Sequence, residues 1–408
     1  MKKVLIYFTQ FARELGGSEY MPLLFIAELQ KNCDVTLALN WPSDVENAAK
    51  LCGIPIDMDR LEVVLVKPEN NLLCKLDAVL PFYRTWQLKR LAKKADICIS
   101  TVNMFDFGKP AHHFIYFMRM FGDNAFNDFF MHRKPAAGLS LLKRKIRTML
   151  AENILRPLLG IRSTRTILRD PRERIYPTSC YVEETMKAFY GPFNSTVFYP
   201  PTIFRFHKTP IERDPLRVNC LGRISPDKKI DEIIRVVQGA RGITGLDISL
   251  HIGGLLDESP CSAALRKIAS ENSWIHLHGA VYREEKEAFL LSGTYAIHAE
   301  RDEAFGISVT EYLKAGNIAL VPDEGGSQEV VDNPALTYHD RDEAVQILAR
   351  LLKDPSFREE QRKNCEIRAE EFSEENYRKR QSRLLAEIIA DEISPSGKSP
   401  AEGKADCR

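Results

Sequence analysis

The chain has 408 residues, more than one hydrophobic core ordinarily supports, and so implies two domains of roughly 200 residues each. Hydrophobic residues make up 44% and charged residues 28%, which excludes both a disordered chain and a membrane-spanning bundle. A formal net charge of +1 excludes nucleic acid as the main partner, because duplex binding shows as a strong basic excess. The apolar run at residues 4–8 is too short for a secretory signal. Nine scattered cysteines without a C-x-x-C pair read as reduced thiols. Together these make the cytoplasm the expected location.

In chain order, residues 4–8 read as a buried strand. Tyr20, Leu23, Leu24 and Ala27 follow at helical spacing, and 34–39 as a second strand. Strand, glycine turn, helix and strand in about forty residues is a βαβ unit, which implies a parallel sheet. Further strands are expected at 61–66, 97–101 and 114–117. A proline-marked stretch, Pro200-Pro201 and then Pro210 to Pro215, reads as an interdomain linker. A second alternating series follows, with strands at 217–221, 247–252, 275–277, 295–298 and 318–321. The expected division is 1–200, 201–375, a closing helix at 376–392 and a disordered tail at 393–408.

Four loops that follow parallel strands carry the chemistry. In Leu221-Gly222-Arg223-Ile224-Ser225-Pro226-Asp227-Lys228-Lys229, a guanidinium and an ammonium five residues apart suit a diphosphate. A solvated charged loop would show the same residues. In Glu303-Ala304-Phe305-Gly306-Ile307-Ser308-Val309-Thr310-Glu311, Gly306 permits close backbone approach. The amides of Ile307 and Ser308 open a helix whose N-terminus favours a phosphate, although capping acids give a similar pattern. Gly325-Gly326 and, near the start, Gly16-Gly17-Ser18-Glu19 occupy equivalent positions. A single glycine pair is usually only a turn.

Taken together, these segments resemble the GT-B-fold glycosyltransferases of family 4, retaining enzymes that share an E-x7-E motif. The likeness also takes in Thr178-Ser179-Cys180-Tyr181-Val182 and Tyr199-Pro200-Pro201. It implies an α/β chain of two Rossmann-like parallel-sheet domains facing a central cleft, the first toward the acceptor and the second binding the nucleotide sugar. By resemblance, Arg223 and Lys228 hold the donor diphosphate, Glu311 binds the donor ribose, and Glu303 lies at the transferred sugar. Gly16, Gly17, Val281, Gly306, Ile307 and Ser308 line the donor. The implied activity is metal-independent transfer of a hexose-type sugar from a nucleotide diphosphate sugar to a glycan or lipid-linked acceptor, with no cofactor. A nucleotide-sugar 2-epimerase and a non-catalytic nucleotide-sugar-binding subunit share these loops and stay open.

The chain departs from the family pattern in three places. Lys229 stands where a glycine usually follows the motif lysine, and Gly316 is followed by Asn317-Ile318 where a proline usually comes two residues on. The region of the usual first-domain histidine, 114–118, has none, while His112 and His113 just before it read as ordinary strand-flanking residues. Asp57-Met58-Asp59 matches the metal-binding D-x-D pattern of the other large glycosyltransferase fold but reads as a surface turn, so no metal site is expected. Residues 133–174 carry twelve Lys and Arg against three acids, and Leu139, Leu142, Ile146 and Met149 recur within them at helical spacing. That pattern suits a helix resting on an anionic membrane, and equally an amphipathic helix with a solvated basic face.

Overall fold

The computed structural model describes residues 1–11, 17–67, 80–116, 126–127, 154–202, 204, 206 and 211–390. The chain divides into two compact units, Met1–Pro201 with Arg378–Arg408, and Thr202–Tyr377. Gly16 and most of the basic membrane candidate, including Lys143, Arg144, Lys145 and Arg147, lie outside the described residues.

In the first unit the strands are β1 (Lys2–Phe8), β2 (Cys33–Leu39), β3 (Leu61–Leu65), β4 (Ile97–Ser100), β5 (His112–Ile115) and β6 (Arg174–Pro177). They form one sheet in the order β3-β2-β1-β4-β5-β6, parallel throughout. Helices α1 (Gly17–Leu29), α2 (Val45–Cys52), α3 (Leu80–Ala92) and α4 (Cys180–Tyr190) accompany it. Residues Val4 to Phe8 are all buried, as a central strand covered on both faces requires.

The second unit repeats the plan. Its strands are β7 (Asp214–Leu221), β8 (Ser249–Gly253), β9 (Ile275–Gly279), β10 (Gly293–Ile297), β11 (Ile318–Pro322) and β12 (Thr337–Tyr338). The order is β12-β11-β10-β7-β8-β9, again parallel. Its helices are α5 (Ile230–Thr244), α6 (Pro260–Glu271), α7 (Arg283–Leu291), α8 (Ile307–Lys314), α9 (Gly326–Val331), α10 (Arg341–Lys353) and α11 (Pro355–Glu371), while α12 (Glu374–Ala390) closes the described chain and from Arg378 on belongs to the first unit. Both sheets have the doubly wound order of Rossmann-like domains. In such sheets ligands bind beyond the carboxyl ends of the strands where the order reverses. In the second unit that point lies between β7 and β10.

Several sequence expectations shift. Strand β5 starts at His112 rather than 114, because both histidines are buried and paired to β6 despite their polarity. Strands β6 and β12 were not anticipated, being short and flanked by charge. Pro215 falls inside β7 rather than in the linker. It is accommodated where the register between β7 and β10 shifts, so its missing N–H interrupts no regular ladder. Cys33, Cys52, Cys98, Cys220, Cys261 and Cys365 are free, whereas Cys180 is disulfide-bonded. That corrects the all-reduced reading, since a pair brought together by the fold leaves no mark in sequence spacing.

The described half of the basic segment is held inside its own unit. Arg162 donates to Asp106 at 2.8 Å and pairs with Glu173 at 2.8 Å, and Arg172 pairs with Asp170 at 2.9 Å. His113 meets Glu173 at 2.9 Å in the same buried network. His112 meets the Tyr176 hydroxyl at 3.1 Å, and burial, aided by His113, pushes its pKa down to about 3. These histidines pack the interior. Asp57 caps the turn Met58–Arg60 by accepting from the Asp59 amide, so the D-x-D triplet forms a local turn in the first unit.

Candidate active site

The site is built on the carboxyl ends of β7 and β10. After β7, Gly222 hydrogen-bonds to the Gly253 carbonyl at 3.0 Å. The chain then makes a single 3-10 turn, Pro226–Lys228, before α5. Lys229 joins the two with φ +46°, a left-handed conformation that costs about 1–2 kcal/mol for a residue with a Cβ. That is the physical reason a glycine suits this position.

Lys228 reaches across to the loop after β10, where its ammonium contacts Glu300 and lies 2.5 Å from Glu303 Oε2. All three side chains are four-fifths or more buried. His298, the first residue after β10, stands 3.5 Å from the same Glu303 oxygen. Its Nε2 is buried and has no hydrogen-bond partner among the described residues. Burial pushes its pKa down to about 4, so the ring is neutral at pH 7.

The two carboxylates divide one environment. Burial, then the charge of Glu303, pushes Glu300 up to about 7. Burial acts on Glu303 in the same direction, but the adjoining Lys228 ammonium outweighs it and holds that carboxyl down. Burial lowers Lys228 and the two carboxylates more than restore it, so the ammonium stays charged. His298, Glu300 and Glu303 offer ligand atoms within 4.8 Å of one another, the right donor types for a divalent ion. The Lys228 ammonium already takes the cation's position against both carboxylates, and a metal would have to displace it.

The Glu303 loop is fixed from behind by the glycine pair. Gly326 donates to the Glu303 carbonyl at 2.7 Å. A Cβ on Gly325 would lie 2.3 Å from the Arg301 carbonyl oxygen, and one on Gly326 would lie 2.4 Å from that of Ala304. The pair is therefore more than a turn, because it allows one backbone to lie directly on another. Gly306, at φ +97°, leads into α8, whose first amides, at Ile307 and Ser308, have no preceding helical turn to bond to. One turn on, Glu311 is buried and pairs with Lys286 of α7 at 2.6 Å. Val281 follows β9 and packs near Gly253 and so beside β7.

Arg223 does not join this cluster. It is 77% exposed and among the described residues pairs only with Asp227, at 3.2 Å. Gly17 begins α1 after β1 in the first unit. Sequence reading missed Glu300, His298 and Tyr312. The buried Tyr312 hydroxyl accepts from the Leu221 amide at 2.5 Å and ties α8 to the end of β7. The first two had a signal in the polar pair closing an apolar strand at His298-Ala299-Glu300.

Residues 203–372 match the model of the family described as glycosyl transferases group 1. This region is a glycosyl transferases group 1 domain. The domain holds every site residue named above except Gly16 and Gly17, and with it the chain is a glycosyltransferase. No curated protein sequence matches the chain. Among solved structures, Alr3699/HepE from Anabaena, in complex with UDP and glucose, is 12% identical with a TM-score of 0.60, over 96% of this chain and 100% of that one. WaaG, a glycosyltransferase involved in lipopolysaccharide biosynthesis, is 13% identical with a TM-score of 0.62, over 94% and 99%. Sucrose-phosphate synthase from Thermosynechococcus elongatus is 14% identical with a TM-score of 0.62, over 96% and 100%. At such identities the likeness shows the fold, an α/β chain of the GT-B type with two Rossmann-like domains. Among the described residues no helix is long and apolar enough to cross a membrane.

Proposed function

We propose that this glycosyltransferase moves a hexose-type sugar from a nucleotide diphosphate sugar to a glycan or lipid-linked acceptor, with retention of configuration and without a metal. The observation that carries the reading is the Lys228 ammonium, set between Glu300 and Glu303 beyond β7 and β10, where a doubly wound sheet binds its ligand. Sugar transfer builds negative charge on the departing diphosphate and positive charge on the sugar ring. A fixed cation beside a fixed anion answers both. Lys228 and the first amides of α8 take the diphosphate, Arg223 swings in from solvent to assist, Glu303 faces the sugar and Glu311 the ribose. One of the similar structures, that of Alr3699/HepE, holds UDP with glucose, which supports a nucleotide sugar as donor.

The test is incubation of the full chain with a panel of labelled nucleotide sugars and with glycan and lipid-linked acceptors, the latter presented in anionic vesicles. Labelled acceptor with retained anomeric configuration, undiminished by chelator, supports the reading. An isomerised nucleotide sugar would make the enzyme an epimerase, and loss of activity with chelator would overturn the metal-free part. In the same assay Glu303→Gln is expected to lower mainly kcat and Glu311→Gln to raise mainly the donor KM. A cytoplasmic location and an anionic membrane surface for the acceptor belong to the same proposal. Co-sedimentation that rises with anionic lipid content and is lost on replacing Lys143, Arg144, Lys145 and Arg147 by Gln checks the latter.

A further inference from the structure

Three histidines outside the donor site converge on one face of the second sheet. His276 and His278 are two apart on β9, so their side chains leave the strand on the same side. His251 on the neighbouring β8 is the register partner of His276 and therefore shares that face. The rings meet there. His251 Nδ1 lies 2.8 Å from His278 Nε2, and the rings of His251 and His276 stack with centroids 4.5 Å apart.

We propose that His251, His276 and His278 form a tris-imidazole site for a divalent metal of the zinc class. The residue types and their spacing are those the chemistry asks for. Two imidazoles in a His-x-His step on one strand, with a third across the ladder, supply the ligand types of three-histidine zinc sites, which leave a fourth position for water, and His251 Nδ1 and His278 Nε2 already stand together. His276 and His278 are exposed, so an ion has direct access. The stacked His276 ring has only to turn about its own side-chain bonds to bring a nitrogen in. Among the described residues the cation acting on these rings, Arg217 on β7, is turned to Asn219 Oδ1 at 2.9 Å and to the Phe289 carbonyl at 3.1 Å. Ser249 Oγ lies 3.2 Å from His251 Nε2, which holds that nitrogen and leaves Nδ1 for the metal. Bound here, the ion clamps β8 to β9 just before Gly279, whose carbonyl accepts from Gly254 at 2.8 Å.

The experiment titrates the tag-free full chain with Zn2+ by calorimetry and with Co2+ by visible absorption. It uses wild type, His251→Asn, His278→Asn and His276→Asn, with His298→Asn as a control outside the cluster. Expected are one Zn2+ per chain, a cobalt d–d band of a four-coordinate site, a thermal midpoint raised by Zn2+, and loss of each in the His251 and His278 variants. His276→Asn is expected to weaken binding at least tenfold, while His298→Asn leaves it unchanged. Circular dichroism of each variant separates loss of the site from loss of the fold. Absence of saturable binding to wild type overturns the proposal. So does binding that persists in the folded His251 and His278 variants. Loss of binding in His298→Asn alone would place the metal at the carboxylate cluster and equally overturn it.

Discussion

At the residue scale, Lys228 and Arg223 were paired by sequence as two hands on one diphosphate, yet they stand in different environments. Lys228 is clamped between two carboxylates and Arg223 is exposed, paired at the surface with Asp227. Lys228→Ala is therefore expected to lower donor kcat/KM roughly tenfold to a hundredfold. It also costs stability, on the order of 3 kcal/mol, because two buried carboxylates lose their counter-charge. Arg223→Ala is expected to lower kcat/KM with an unchanged thermal midpoint. Equal melting of the two variants would show that the clamp is not formed in solution. Glu300 supplies a pH dependence whose sign can be worked out. Its pKa rises from an ordinary 4.5 to about 7 in the folded protein, so the folded state holds a proton that the unfolded chain has released. The resulting stabilisation is full below pH 4.5 and is lost as pH rises through about 7. Glu303, held down, acts in the opposite sense and only on the acid side. Thermal midpoints measured from pH 5 to 8 are expected to fall more steeply for wild type than for Glu300→Gln, and parallel curves would contradict the raised Glu300 pKa.

At the element scale, the loops matter through the backbone conformations they impose. Lys229 takes φ +46° between the turn that carries Lys228 and the first residue of α5. Replacing it with glycine removes Cβ strain, partly offset by the greater freedom of glycine in the unfolded chain. Lys229→Gly is expected to stabilise by about 0.5–1 kcal/mol, a rise of about 2 °C in the midpoint, with donor use retained. A lowered midpoint would mean that the lysine side chain contributes more than its backbone costs. The departure at Gly316-Asn317 has its own compensation. Gly316 ends α8 at φ +76°, and the buried Asn317 amide donates to the Leu290 carbonyl at 3.0 Å and the Gly293 carbonyl at 2.6 Å. It thereby joins α8 to the end of α7 and the start of β10, and that anchoring bears on where Glu311 stands.

At the scale of the whole molecule, the chain returns at its end to the unit in which it began. In that unit Gln381 donates to the Leu24 carbonyl at 2.8 Å, Lys2 Nζ donates to the Ile389 carbonyl at 2.6 Å, and Leu385 and Ile388 are buried. Ending the chain at Tyr377 would expose the surface these residues cover. Such a truncation is expected to lower the melting transition of Met1–Pro201 by several degrees, read by differential scanning calorimetry, while that of Thr202–Tyr377 moves less. A first unit that melts unchanged would show the return to be dispensable. The sequence by itself determined the two parallel α/β units and the glycine-bearing loops that follow their strands. Apolar runs of strand length, helical spacing and glycines at strand ends are local signals, written in consecutive residues. Tertiary structure alone decided which charges meet. Lys228 is 72 and 75 residues from its carboxylates, and no local pattern distinguishes a clamped lysine from a solvated one. The same holds for the glycine pair, which reads as a turn until the Glu303 backbone is laid against it. It holds too for the three histidines of β8 and β9, which only strand register brings onto one face, since contact between distant residues is fixed by how the sheet is ordered and by nothing in the residues between.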